Sequence, residues 1–286
     1  MSSVLITGAN RGIGLATAVA MARAGHTVYA TMRDVSKRPE LDQAAAGEGL
    51  TIHVSELDVT SDESVASAIA AVQQASGGIE VLINNAGIER RGSAEEIDLD
   101  TVREVMETNF FGSIRCMQAC IPGMRQRGEG CIVNVASVAG RIAVSPFGPY
   151  TASKFALEAF SETTAQELKP HGIRVLIVEP GIIDTGMAQG IGEPVTSDYP
   201  HARRIAGMFR AALETPTSPT LVADAIVDAV DSGTWTLRHP VGPDAVPFLE
   251  WRAGMTDEEW VDWSATDDDA WYAAVQEDFG LDAKGV

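Results

Sequence analysis

The chain has 286 residues, 45% of them hydrophobic, and a formal net charge of −19 at pH 7. Such a chain can bury one large α/β core without a second domain, and its acidity disfavours nucleic acid or an anionic membrane as a partner, since both are polyanions. No apolar run reaches the ~18 residues of a membrane helix and no charged, apolar leader precedes Val4, so a soluble, cytoplasmic protein with no membrane partner is expected.

In chain order, Val4-Leu5-Ile6-Thr7 is a short run of β type. It is followed by Gly8-Ala9-Asn10-Arg11-Gly12-Ile13-Gly14 and by a strong helix former from Leu15 to Ala24. Strand, glycine-rich turn and helix make a phosphate site, because glycines let the backbone approach an anion and a helix N-terminus presents unpaired N–H groups. The G-x-x-x-G-x-G spacing differs from the generic G-x-G-x-x-G of dinucleotide folds, and alone it also suits a turn that merely packs a helix onto a sheet. Further apolar runs at 27–31, 50–54, 79–83, 131–135, 173–178 and 235–239 alternate with segments of helical composition such as 62–75 and 99–119. The expected fold class is therefore α/β, a doubly wound Rossmann-type three-layer sandwich on a mostly parallel seven-stranded sheet, with ligands at the carboxyl ends of the strands.

Tyr150 and Lys154 stand four apart in Y-T-A-S-K, and Ser137 follows the buried-strand run 131–135. On a helix, i and i+4 share one face, so a phenol and an ammonium there can point into one cleft. A nearby cation favours the phenolate of a tyrosine and makes it a usable acid or base, while the serine hydroxyl can hold a carbonyl or alcohol oxygen beside it. The three cysteines, Cys116, Cys120 and Cys131, form no C-x-x-C pair and read as buried thiols. The five histidines are scattered without ligand spacing, so no metal site is expected.

Two late segments close the reading. Residues 182–215 carry Met187, Ile191, Tyr199, Met208 and Phe209 among glycines, which reads as a mobile substrate loop with Phe147 as another wall of the pocket; ordinary core is the equal alternative. From Asp244 onward twelve acids face only Arg252 and Lys284, so this end holds −10 of the −19, yet it also holds Trp251, Trp260, Trp263 and Trp271. A disordered acidic tail would be poor in aromatics. A catalytic domain over 1–243 is thus expected, with a folded extension over 244–286 that forms short helices near 255–263 and 268–275. It would pack on the body or on a neighbouring subunit; a loosely attached solubilising tail is the alternative.

The stretch Thr7 to Gly14, then Asn84-Asn85-Ala86-Gly87, Asn109, Ser137, Tyr150 with Lys154, and Pro180-Gly181 with Thr185 occur together in one order and spacing. That series resembles the short-chain dehydrogenase/reductases, closely over residues 2–185 and more loosely near 235–240. The resemblance implies a nicotinamide-dependent oxidoreductase in which Tyr150 exchanges a proton with a small-molecule carbonyl or secondary alcohol, Ser137 holds the substrate oxygen, and Lys154 tunes the tyrosine and binds the nicotinamide ribose. Asn109 would shape its helix and hold a water linking Lys154 to solvent. It further implies cofactor contacts from Gly8, Asn10, Arg11, Gly12, Ile13 and Gly14, from Asp58 and Val59 at the adenine, from Asn85, Ala86 and Gly87 at the adenosine ribose, and from Pro180, Gly181, Ile183 and Thr185 at the carboxamide. Asp58 reads comparably well as the N-terminal cap of a helix beginning near Ser61.

Met32 resembles the position where NAD-preferring relatives carry an acid, and Arg33 follows it. With Arg11 as a second cation, NADP(H) is favoured over NAD(H) as cofactor; Asp34 keeps NAD(H) open, and Arg33 could merely pair with Asp34 on the surface. The family also implies a homodimer or homotetramer through helices around 100–127 and 149–169. An NAD-dependent alcohol dehydrogenase of the same family and a non-catalytic NADP-binding regulatory protein are the alternative readings. An epimerase or dehydratase of the related extended type would carry G-x-x-G-x-x-G and a larger substrate domain, and neither is present.

Overall fold

The computed structural model describes residues 1–193 and 195–285. Seven strands, β1 (Ser3–Ile6), β2 (Thr27–Met32), β3 (Ile52–Glu56), β4 (Val81–Asn84), β5 (Gly130–Val135), β6 (Ile173–Pro180) and β7 (Arg238–Val241), form one sheet in the order β3-β2-β1-β4-β5-β6-β7. Every neighbouring pair is parallel. The expected doubly wound α/β fold is the observed one. Strand order reverses between β1 and β4, which opens a crevice at their carboxyl ends.

The helices are α1 (Gly12–Arg23), α2 (Pro39–Gly47), α3 (Asp62–Ser76), α4 (Leu99–Met106), α5 (Gly112–Arg127), α6 (Gly148–Leu168), α7 (Gly186–Gly192), α8 (His201–Leu213), α9 (Pro219–Asp231), α10 (Ala245–Ala253), α11 (Asp257–Ala265) and α12 (Asp268–Phe279). Strands buried on both faces need apolar residues at successive positions, and Val4, Leu5 and Ile6 are all fully buried. Val4 and Ile6 pack with Val19 and Met21 of α1 and Val222 and Ile226 of α9. Leu5 packs on the other face with Val65 and Ile69 of α3 and Met117 of α5. All three cysteines are free thiols, Cys116 and Cys120 in that second layer and Cys131 in the first. Burial pushes Cys116 up to about 12 and Cys131 up to about 11.

Several boundaries differ from the sequence expectation for local reasons. Leu50 closes the end of α2 through its amide on the Ala45 carbonyl, so β3 starts at Ile52. The strand near 235–239 begins only at Arg238 and is an edge strand, where Pro240 costs no ladder hydrogen bond. The segment 99–119 is not one helix: a π-helical turn at Glu107–Phe111 separates α4 from α5, and Asn109 sits in it. Residues 182–215 fold mainly as α7 and α8. Thr185 caps α7, its hydroxyl accepting from the Ala188 amide at 3.3 Å. The carbonyls at the other end of α7 are taken by arginines, Gly190 and Ile191 by Arg91 and Gly192 by Arg210.

The acidic extension folds as α10, α11 and α12 and lies on the body of the same chain. Trp251 meets Trp260, Trp263 and Phe279 edge-on at ring-centroid distances of 5.3, 4.9 and 4.8 Å, and Trp260 stacks on Trp263. The Trp260 indole N–H donates to the Ala143 carbonyl at 2.9 Å, which ties α11 to the segment before α6. Arg204 of α8, only 3% exposed, holds the α11–α12 turn: it donates to Asp268 at 2.9 Å, to the Ser264 carbonyl at 3.1 Å and to the Thr266 carbonyl at 2.7 Å. Charged hydrogen bonds contribute ~1.5–3 kcal/mol each at most when buried, and truncation leaves the carbonyls unpaired. Arg204→Ala should therefore lower stability by about 2–3 kcal/mol and release the extension to limited proteolysis, while Asp269→Ala, which removes an exposed pair with Lys284, should leave both within error.

Candidate active site

The glycine turn is interlocked with the end of β4. Thr7 Oγ1 accepts from the amides of Asn85 and Ala86, each at 3.0 Å, and Asn85 Nδ2 donates back to the carbonyls of Thr7 and Gly8 at 3.0 and 3.1 Å. Gly8 has φ +67°, and a Cβ there would stand 2.8 Å from the Ala86 Cα; one on Gly14 would stand 2.4 Å from both Asn85 Nδ2 and the Gly8 carbonyl oxygen. Only glycine lets these backbones meet. Arg11 precedes α1 without capping it by its side chain, so the first-turn amides of α1 remain for an external acceptor. This cradle fits a diphosphate.

Lys154 on α6 is 5% exposed, donates to the Val135 carbonyl at 2.8 Å, and has its Nζ 5.7 Å from the centre of the Tyr150 ring. The two side chains thus meet in one cleft, as the i, i+4 spacing requires. Desolvation pulls Lys154 down to about 8, with the charge of Glu158 opposing the change. Tyr150 is pushed up to about 12, first by desolvation, then eased by its hydrogen bond with Ser137, with the Glu89 charge raising it further. The expected lowering of Tyr150 by the ammonium is not what the site shows: burial sets the direction, Ser137 is the group that opposes it, and the phenol is protonated at neutral pH. Ser137 caps a short 3-10 turn, its hydroxyl accepting from the Ala139 amide at 3.1 Å and donating to the Pro180 carbonyl at 3.4 Å.

Asn109 lies behind this group. Its Oδ1 accepts from the Ile88 amide at 2.8 Å, and its Nδ2 donates to the Ile88 carbonyl at 2.9 Å and to Ser153 Oγ at 3.0 Å. It stitches the loop after β4 to the residue preceding Lys154, and the π turn aims it there.

One cavity of about 320 Å³ gathers Gly8, Asn10, Arg11, Gly12, Ile13, Gly14, Asn85, Ala86, Gly87, Ser137, Tyr150, Lys154, Pro180, Gly181, Ile183 and Thr185. Its outer end is walled by Phe147, Met187, Ile191, Met208 and Phe209, whereas Tyr199 stands outside. Phe248, Trp251, Trp260, Trp263 and Phe279 complete that wall. These five were not among the expected site residues. Their one signal was the concentration of aromatics in an acidic terminus, which marks a packed face and not what the face encloses.

Arg33, Asp58, Val59 and Asn109 do not line the cavity. Asp58 Oδ1 closes its own turn on the Thr60 amide and hydroxyl at 2.9 and 2.7 Å, and it is Ser61 that caps α3 through the Ser64 amide, so the cap reading of Asp58 is corrected. Val59 packs under Gly112, where a Cβ would strike it at 2.8 Å. Asp34 accepts from the Ser36 amide and hydroxyl at 3.0 and 2.6 Å and lies 4.0 Å from Lys37. Arg33 is exposed just past the end of β2. Among the described residues no group of His, Cys, Asp and Glu is arranged to hold a metal ion.

The short chain dehydrogenase family profile matches residues 2–196. The chain belongs to the short-chain dehydrogenase/reductase family. Human retinol dehydrogenase 8 is 39% identical over 253 residues, covering 83% of this chain and 80% of its own. Human 17-beta-hydroxysteroid dehydrogenase type 1 is 33% identical, with 87% and 80% covered. The crystal structure of a short-chain dehydrogenase from Streptomyces avermitilis superposes with a TM-score of 0.78 at 35% identity, covering 92% of this chain and 96% of that one. As a member of this family the protein is an oxidoreductase of CH–OH or C=O groups that uses a nicotinamide cofactor.

Proposed function

We propose that this short-chain dehydrogenase interconverts an apolar carbonyl compound and its secondary alcohol with NADP(H), Tyr150 acting as general acid in reduction and general base in oxidation. The observation that carries this reading is the convergence of Tyr150, Lys154 and Ser137 with a diphosphate cradle in one cavity whose far wall is aromatic. When bound, the nicotinamide supplies or accepts the hydride. Ser137 positions the substrate oxygen, and the neutral phenol of Tyr150 donates its proton to that oxygen as charge develops on it. The Lys154 ammonium stabilises the phenolate left behind and, through its remaining N–H groups, holds the ribose. The apolar wall excludes water and favours a substrate with large hydrophobic area. Relatives named for retinol and for a 17-beta-hydroxysteroid accord with that choice.

NADP(H) is supported by Arg33, exposed just past the end of β2, by Arg11 at the glycine turn, and by Asp34 being turned into its own loop. Exposed Phe111 and Phe155, flanking α5 and on α6, support self-association along these helices.

Tyr150→Phe should lower kcat about 10³-fold while NADPH binding, read by tryptophan quenching, stays within about twofold; a fully active variant would refute the scheme. Lys154 loses its charge near pH 8 and Tyr150 its proton only near 12, so reduction should fall as pH rises through about 8 and be retained below it, as read from the kcat profile. Arg33→Ala should raise KM for NADPH about tenfold and leave KM for NADH nearly unchanged; an equal effect on both would move the choice to NAD(H).

A further inference from the structure

The segments that carry the site meet a second time behind it, around two carboxyls that the proposed reaction does not use. Glu158 lies one turn beyond Lys154 on the same face of α6, and Glu179 is the residue of β6 just before Pro180. Their side chains are 6% and 0% exposed. Arg238 of β7 donates from Nε to Glu158 Oε2 at 3.0 Å and from Nη2 to Glu162 at 2.7 Å, and stands 4.0 Å from Glu179 Oε1. Arg141, just past the Ser137 turn, is 3.6 Å from Glu179 Oε1, beyond a hydrogen bond. Gly140 presses on the pair from the same turn, where a Cβ would strike Glu158 Cγ at 2.8 Å.

Glu158 Oε1 and both oxygens of Glu179 are buried without a hydrogen-bond donor, the two arginines standing at ion-pair distance from Glu179 Oε1 only. Two ionised carboxylates in contact would leave three buried acceptors unpaired and repel each other. One carboxyl proton between them supplies the missing donor, as the contact between the two groups allows. Burial raises both carboxyls, and the charge of Glu179 raises Glu158 further, whereas Arg141, Arg238 and the hydrogen bond with Glu158 draw Glu179 back down.

We propose that Glu158 and Glu179 hold one proton between them and that this singly charged pair is the positioning element that keeps Lys154 cationic and ties the Ser137 turn to the Pro180–Gly181 segment. Its role rests on the reading of Lys154 given above. The charged groups facing the pair are Lys154 and Glu162 from α6, Arg141 from the 3-10 turn and Arg238 from β7. Replacing either acid with glutamine keeps one carboxylate, now paired with an amide N–H in place of the shared proton. Replacing both removes the charge.

Two measurements on the full chain separate this from a purely structural role. Infrared spectra of protein carrying labelled glutamate should show a buried protonated carboxyl above pH 7, lost in Glu158→Gln and in Glu179→Gln. That band does not depend on turnover and so stands even if the reaction is assigned differently. In the pH profile of carbonyl reduction, loss of a negative charge lowers the pKa of Lys154 and moves the alkaline limb to lower pH. The double variant should move it by about one unit, more than the two single shifts combined. A native protein lacking the band overturns the shared proton, and single shifts that sum to the double shift overturn the single charge. Should the double variant fail to fold, the band and its loss in the single variants decide.

Discussion

A charge kept out of water organises this molecule. The Lys154 ammonium is 5% exposed and donates to the Val135 carbonyl at 2.8 Å, so α6 is fixed against the end of β5 by the same group that faces the substrate cleft. Burying an ammonium is costly unless it is hydrogen-bonded and balanced. The Tyr150 ring on one side and the Glu158 carboxyl one turn on provide that balance. Because Lys154, Tyr150 and Glu158 all lie on α6, a displacement of this helix would disturb the phenol, the ammonium and its counter-charge together.

The opposite wall is built on another principle. Where the end at the glycine turn brings backbones together, the other end uses large rings, and besides Phe147 and Phe209 these come from the last forty residues of the chain. The rings pack mostly edge-on at 4.7 to 5.7 Å, with one stacked pair, which suits their quadrupoles. Arg204 and the Trp260 indole supply the directional bonds that set the position of this cluster over the cleft. The chamber is thus half Rossmann sheet and half appended helices.

Most of the sheet was legible in the sequence because a strand buried on both faces writes itself as a continuous apolar run, and the glycine turn because its backbone can be built from no other residue. Tyr150, Lys154 and Ser137 were legible through helical spacing and chain order, and the structure brings them together. Other features depend on partners far along the chain. The π turn at Asn109 is stabilised by bonds to Ile88 and Ser153, which no local pattern reveals. The end of α7 is closed by Arg91 and Arg210, and the aromatic wall depends on where α10 to α12 dock and on Arg204, which holds their turn. The upward shift of Tyr150 is illegible for the same reason: motif spacing reports a neighbouring cation but not the loss of water around the phenol.

The extension gives the molecule an electrical polarity. Its −10 is spread over three helices and their connections, which roof the apolar end of the chamber, while Arg11 and Lys154 lie at the other end. An anion approaching the roofed side meets a like-signed field, whereas a neutral apolar molecule does not, so the terminus adds a bias by charge to the wall it builds by shape.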